Sequence, residues 1–279
     1  MPNLHRPDSL EEVLGLLAER EDAIVYGGGT TVQILSKQGV IFASDLISLR
    51  LVPGLAELAT SEERLLIGPM VRLRALERDP EVRRLAPLLA LACGEVANAR
   101  VRNTASIGGN VAHGDYRLDP PVALIALDAT VHLASSVGTR NVAVRDFFVG
   151  FEQTALEHGE VITAIEVPCP KAPVASAYVK LSSLAANDWP CASVAVALDQ
   201  DGEGGMSLAV GLGALAPTTT YFELALGSAG LEEATARALE AAEELLDPLP
   251  DIRGGAAYKR ALGRVALTDA LALAWGGIN

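Results

Sequence analysis

The sequence predicts an α+β protein: two successive subdomains, then a C-terminal unit of three antiparallel strands with helices. Three observations carry that reading. Helix and strand signals alternate over residues 1–55, the pattern of a small α/β unit with parallel strands. Residues 56–170 gather strand signals between loops marked by glycine and asparagine, the pattern of a mainly antiparallel sheet. Residues 171–279 place three apolar runs ahead of two helical patterns.

Each element has its own reason. Ser9 caps "LEEVLGLLAER", with Glu12 three positions on as the second half of a capping box. Leu10, Val13, Leu14 and Leu17 line one face of that helix. Ala23–Tyr26 reads as a short buried strand, Val32–Lys37 as a helix and Val40–Leu46 as a second strand. Further on, Arg64–Ile67 reads as a strand and Pro87–Ala99 as an apolar helix. Pro121–Leu127 is a helix, and Ala129–Ala134, Asn141–Phe148 and Glu160–Val167 carry strand signals. "PCPKAP", Pro168–Pro173, marks a boundary. Beyond it Ala175–Leu181, Ser193–Asp199 and Met206–Leu212 form a meander with turns such as "DQDGEGG", and the helices Leu231–Leu246 and Gly255–Trp275 close the chain.

The bulk numbers exclude several classes. Of 279 residues, 50% are hydrophobic and 20% charged, a globular composition with room for a large core. No uncharged apolar run reaches the ~18 residues of a membrane span. The opening "MPNLHRPDSLEEV" lacks the basic start and apolar block of a signal peptide, so a soluble, cytoplasmic protein is expected. A net charge of −13, with no basic stripe interleaved with aromatics, argues against nucleic acid. Cys93, Cys169 and Cys191 form no CxxC pair, and the four histidines form no HExxH pair. A metal held by this chain alone is therefore not expected, and buried free thiols are.

Two glycine clusters carry the chemistry. In "IVYGGGTTVQIL", Gly27, Gly28 and Gly29 fail the Gly-x-Gly-x-x-Gly fingerprint, because Val32 stands at the third position, and no lysine follows as a phosphate-binding P-loop requires. The physics survives: a strand, a glycine turn and a helix start present free N–H groups, with Thr30 and Thr31 as hydroxyl donors, to a phosphate or pyrophosphate. A bare strand–helix turn is the alternative. The second cluster is Ser106-Ile107-Gly108-Gly109-Asn110, with an amide side chain that both donates and accepts. Asp119 follows, placed to accept from sugar or polyol hydroxyls or to cap the helix opened by Pro120 and Pro121.

With both clusters in this order, the chain resembles the FAD-binding medium subunits of the molybdenum hydroxylases. The family's "AGGTDL"-like loop stands here as Gly27-Gly28-Gly29-Thr30-Thr31-Val32. Its "RN-x-A-T/S-I-G-G-N-I-A" motif, followed by an aspartate and "LLALDA", is "RNTASIGGNVA", Asp119 and "LIALDATV". The opening "HRPDSLEEVLGLLAE" and the closing "YKRALGRVALTDAL" are similar too, so the resemblance spans the chain. Two departures stand out: "DYRLD" replaces the family's "SPAAD", and Ser183-Leu184-Ala185 replaces an arginine pair.

The resemblance implies an FAD-binding fold of the vanillyl-alcohol-oxidase type and noncovalent FAD. Gly27 to Thr31 would wrap the pyrophosphate. Ser106, Ile107, Gly108, Gly109, Asn110 and Ala112 would form the second cradle, and Asp119 would bind cofactor hydroxyls. Ile162 would pack on the flavin, and Lys180 would stand near its ring, where a cation favours the reduced anion. Trp189 matches a position that could shield the flavin or fill a core gap. No general acid, general base or nucleophile is implied. Electrons would arrive from [2Fe–2S] clusters of a small subunit, fed by a large subunit with the molybdenum cofactor, in a dimer of heterotrimers, and leave to an external acceptor. High apolar content, with a mean hydropathy of +0.29, fits a surface matched to such partners. The other readings are a free-standing FAD oxidoreductase of related fold and a scaffold without flavin; the intact glycines and Asn110 count against the latter.

Overall fold

A computed structural model describes residues 2–169, 175–185, 187–200 and 205–277. The N-terminal unit runs β1 (Asn3–His5), α1 (Leu10–Glu19), β2 (Ala23–Tyr26), α2 (Thr30–Lys37) and β3 (Asp45–Ser48). Its three strands are parallel in the order β1-β3-β2. Ser9 Oγ accepts the Glu12 N–H at 3.3 Å, while Glu12 Oε2 accepts from Asp8 N rather than closing the box on Ser9. Val13 and Leu17 are buried against Ile47, Leu49 and Met70, with Leu10 and Leu14 packed around them. The sequence places the second strand at Val40–Leu46; it is Asp45–Ser48, and Val40 and Phe42 are exposed. The edge strand β1 escaped the sequence reading, and α2 begins at Thr30 rather than Val32.

The middle unit holds β4 (Leu58–Thr60), β5 (Arg64–Ile67), six helices, then β6 (Thr130–Ser135), β7 (Gly138–Ala143), α9 (Val144–Phe147), β8 (Phe148–Gly150), β9 (Gln153–Thr154) and β10 (Val161–Pro168). The helices are α3 (Leu73–Arg78), α4 (Pro80–Leu85), α5 (Pro87–Glu95), α6 (Ala99–Arg102), α7 (Ile107–His113) and α8 (Asp119–Ala126). A five-stranded sheet of order β4-β5-β10-β6-β7 is antiparallel throughout, as expected. The predicted helix Pro87–Ala99 stops at Glu95. Ala97 turns to φ +42°, and Asn98 starts a new helix by accepting from the N–H groups of Arg100 and Val101. The Asn141–Phe148 signal divides between the end of β7, α9 and the start of β8.

The C-terminal unit comprises β11 (Ala175–Leu181), β12 (Ala192–Gln200), β13 (Met206–Gly213), β14 (Thr220–Gly227), α10 (Leu231–Glu243) and α11 (Ala256–Gly276). Its antiparallel sheet, β11-β12-β13-β14, has four strands and not three. β14 is an edge strand with Glu223 and Ala225 exposed, so its alternation is faint in the sequence. β12 is a continuous apolar run because it is covered on both faces. One face meets α11 through Ala266, Ala270 and Leu271; Ala195 and Ala197 on the other meet Leu88, Val122 and Ala126 of α5 and α8. Every residue of α8 is buried. Gly211 lets it lie this close, since a Cβ there would stand 2.2 Å from Val122 O. Of the Pro168–Pro173 boundary, residues 170–173 lie outside the described residues, as do residues 201–204 of the "DQDGEGG" turn. No helix among the described residues is long and apolar enough to cross a membrane.

One carboxylate ties the N-terminal unit together. Asp45, nearly buried at the start of β3, accepts from His5 Nε2 at 2.7 Å, Ser44 Oγ at 2.9 Å and Asn3 Nδ2 at 3.2 Å, with Arg20 3.7 Å away. The His5, Ser44 and Asn3 bonds hold its pKa down at about 2, from an ordinary 3.8. A depressed folded value means that the charged form stabilises the fold above the unfolded value and is lost as pH falls toward the folded one. Thermal melts recorded from pH 5 to pH 2 are therefore expected to lose stability between about pH 4 and 2, and Asp45→Asn is expected to flatten that segment of the profile.

Candidate functional site

The two glycine clusters meet. A Cβ added at Gly28 would stand 2.2 Å from Thr104 O and 2.9 Å from Ala105 Cα, so the β2–α2 turn lies directly on the loop ahead of α7. That loop is itself fixed: Leu73 N donates to Ala105 O, Ile107 N to Val71 O, and the Arg72 guanidinium to Thr104 O. Gly108 presses on Pro69 in the same way, with a hypothetical Cβ 2.3 Å from Pro69 Cβ. Gly29 adopts φ +73°, and a side chain there would run into the Tyr26 ring. The glycines let two backbones approach until they form one wall.

That wall closes a cavity of about 440 Å3. Gly27 to Thr31, Ser106, Gly108, Gly109, Asn110, Ala112 and Ile162 all line it. Apolar side chains complete it: Ile24, Leu35 and Ile41 from the N-terminal unit, Leu156 and Val161 from the middle one. Ile107 does not line it; its side chain is fully buried in the core of the middle unit. Glu160 and His113 also reach the cavity. Arg140 grips Glu160 through Nε at 2.6 Å and Nη2 at 2.7 Å, and these bonds hold the Glu160 carboxyl below its ordinary range.

The two helix starts offer different things. α2 begins at Gly29 without a side-chain cap, so its first-turn N–H groups point at the cavity unpaired, with the positive end of the helix dipole. The start of α7 is already spent: Ile107 N donates to Val71 O, Gly108 N to Pro69 O at 2.9 Å, and Gly109 N to Ser106 Oγ at 3.4 Å. The second motif contributes instead a smooth wall and Asn110, whose Oδ1 is buried with no partner among the described residues. Gly109 faces free space, with only Ser106 Oγ within reach of a Cβ, at 3.1 Å. An anion seat, an orphaned amide acceptor, a glycine floor and flanking apolar walls fit a long amphipathic ligand with phosphates between two apolar groups. FAD is such a ligand.

Asp119 and Lys180 do not line this cavity. They pair with each other, Nζ to Oδ2 at 3.0 Å, with side chains 6% and 4% exposed. Lys180 Nζ also donates to Glu95 O at 2.8 Å, and the Tyr178 hydroxyl to Asp119 Oδ1 at 2.7 Å. Asp119 is the first residue of α8 and does not cap it, contrary to one of the two roles expected for it. Burial pushes its carboxyl up while Lys180 and Tyr178 pull against the rise; burial, then Asp119, pushes the Tyr178 phenol well above its ordinary value. The sequence reading missed Tyr178, whose signal was only its place two residues before Lys180.

The departure "DYRLD" builds a separate cluster. Asp115 takes the Arg117 guanidinium at 2.9 and 2.6 Å, and Arg117 lies over the Trp189 ring at 4.6 Å and the Tyr116 ring at 5.3 Å. Trp189 thus pairs with a cation. His113, Asp115 and Glu152 bring one ligand atom each within 4.8 Å of one another, but Arg117 already occupies the Asp115 carboxylate as a metal would. The three cysteines are free and buried.

A family model described as the FAD binding domain in molybdopterin dehydrogenase matches residues 1–170, and the CO dehydrogenase flavoprotein C-terminal domain matches residues 177–274. The carbon monoxide dehydrogenase medium chain of Hydrogenophaga pseudoflava is 33% identical over 276 residues, covering 97% of this chain and 96% of that one. The nicotine 6-hydroxylase medium subunit of Paenarthrobacter nicotinovorans is 30% identical, covering 92% and 91%. The solved structure of carbon monoxide dehydrogenase from Hydrogenophaga pseudoflava, lacking the Mo-pyranopterin moiety, superposes with a TM-score of 0.94 at 34% identity, over 99% of this chain and 97% of that one.

Two outcomes are expected from this geometry. Gly28→Ala must push the two loops apart and is expected to cost about 1–3 kcal/mol, read as a lower melting temperature. Lys180→Met strands a buried carboxylate and is expected to cost about 3–5 kcal/mol in chemical unfolding, part of it recovered by adding Asp119→Asn.

Proposed function

The chain belongs to the FAD-binding medium subunits of the molybdenum hydroxylases, and from that premise we propose that it is the subunit through which electrons leave such a complex. The complex contains a large subunit with the molybdenum cofactor and a small subunit with two [2Fe–2S] clusters. Electrons pass from the clusters to FAD on this chain and on to an external acceptor. The assembly is a cytoplasmic heterohexamer, a dimer of heterotrimers. The contact between the glycine loops, with the open N-terminus of α2 beside it, carries this reading.

Bound FAD supplies the redox chemistry, taking up electrons and passing them on. The chain binds, orients and keeps water out. The N–H groups at the start of α2 and the hydroxyls of Thr30 and Thr31 hold the pyrophosphate. Asn110 Oδ1, orphaned here, accepts from a cofactor hydroxyl or ring N–H. Leu156, Val161 and Ile162 form a dry wall against a flat ring. Asp119 and Lys180 act indirectly, by fixing α5, α8 and β11 around one another. Lys180 spends its charge on Asp119, so its pull on a reduced flavin is weaker than a free cation's.

The relatives support the division of labour. Medium chains named for carbon monoxide and for nicotine are both about a third identical to this one over nearly its whole length. Substrate choice therefore lies on another subunit, and this chain is common equipment.

The absorption spectrum of the purified complex tests the reading. In the spectrum of what heating releases from the complex, free of the iron–sulfur clusters, flavin bands at about 450 nm and FAD rather than FMN are expected. Gly109→Val places its methyls in the cavity without meeting the backbone, and is expected to abolish FAD retention while leaving the melting transition of the flavin-free protein in place. A complex that releases no flavin and takes up no added FAD would refute the proposal.

A further inference from the structure

α2 is a helix without a core. None of its eight residues is buried, although Val32, Ile34 and Leu35 are apolar. Val32 and Leu35 turn toward the cavity, as does Ile41 in the following turn. Ile34, Val40 and Phe42 face solvent at 56%, 62% and 87% exposure. Helices this short are marginal unless tertiary contacts hold them, and the β-branched Thr30, Thr31, Val32 and Ile34 add no propensity. α1, by contrast, seats Val13 and Leu17 in the core of the same unit.

Left-handed glycines bracket the helix. Gly29 before it has φ +73° and Gly39 after it φ +69°. Beyond these glycines the chain is fixed: Tyr26 ends β2, and Ser44 O accepts from Asn3 N at 2.8 Å. Within the segment, one side-chain bond reaches back, from Gln33 Nε2 to Tyr26 Oη at 2.7 Å.

We propose that residues 30–43 form a flap whose missing core is the bound dinucleotide, so that the flap folds onto FAD and loosens without it. The proposal rests on the FAD reading above and adds a consequence to it. Val32, Leu35 and Ile41 are only partly buried and line the cavity, so a ligand there would complete their apolar cover. The same first turn that binds phosphate would start the helix, since a bound anion caps N–H groups that no side chain caps. Binding and folding of the segment are then one event.

Hydrogen–deuterium exchange on the full complex tests this, comparing the FAD-loaded form, the form stripped of FAD and the stripped form reloaded with FAD. Amides of residues 30–43 are expected to exchange at least tenfold faster in the stripped form and to recover on reloading, while those of α1 and β3 stay unchanged. A second measurement uses Leu35→Ser and Ile41→Ser. Both side chains are only partly buried, so the stripped variants are expected to melt close to the stripped parent and the loaded variants to lose FAD at least tenfold faster. Equal protection with and without FAD, where absorbance shows FAD bound, overturns the flap and leaves the FAD reading standing. A complex that never takes up FAD overturns both.

Discussion

The site depends on one close contact, the backbone of the β2–α2 turn against the backbone ahead of α7. At Gly28 that contact leaves no room for even a methyl group. Its consequence is geometric. One loop belongs to the N-terminal unit and the other to the middle unit, and their contact, with Met70 and Val161 packed into the N-terminal core, brings the two units to share one cavity. The bare backbone has a use on each face: outward it seats the neighbouring loop, inward it gives phosphate and ring an unobstructed surface.

A second constraint holds the far side. α8 is buried along its length between α5 and the C-terminal sheet, and its first residue, Asp119, is clamped by Lys180 and Tyr178 from β11. An ion pair this dry stabilises little compared with apolar residues of the same shape, since desolvation offsets the attraction. It supplies register instead: Lys180 reaches both Asp119 and Glu95 O only when α5, α8 and β11 stand in one arrangement. The C-terminal sheet is thereby locked to α5 and α8.

Much of this was legible in the sequence, and the reasons differ by element. The glycine motifs were legible because steric exclusion is absolute: where a Cβ cannot fit, only glycine appears, and clustering betrays the contact. α1, β12 and α11 were legible because burial on one face or two writes a periodic or continuous apolar pattern. β14 was not, because an edge strand is half solvated and its pattern thins. The strand expected at Val40–Leu46 failed for an opposite reason. Val40, Ile41 and Phe42 are apolar, but Ile41 lines the cavity while Val40 and Phe42 face solvent, and none pairs in a sheet. The Asp119–Lys180 pair lay beyond reach: 61 positions separate the partners, and nothing local marks two charges that neutralise one another in space. Resemblance placed them at the cofactor; the structure places them at each other.

That neutralisation recurs and explains how so acidic a chain accommodates a pyrophosphate. The net charge is −13, which taken alone repels anions. Yet Glu160, the one carboxylate lining the cavity among the described residues, is held by Arg140. Nearby, Asp115 is held by Arg117 and Asp119 by Lys180. The surplus negative charge faces solvent, where counterions screen it within about 10 Å at ordinary salt. Inside, on the proposed reading, the attraction would come from the N–H groups and dipole of α2, which carry no titratable proton. A seat built from backbone keeps its sign at every pH at which the fold survives. On that reading cofactor retention rests first on the stability of the fold and of α2 itself, with Glu160 and His113 the titratable side chains that reach the cavity.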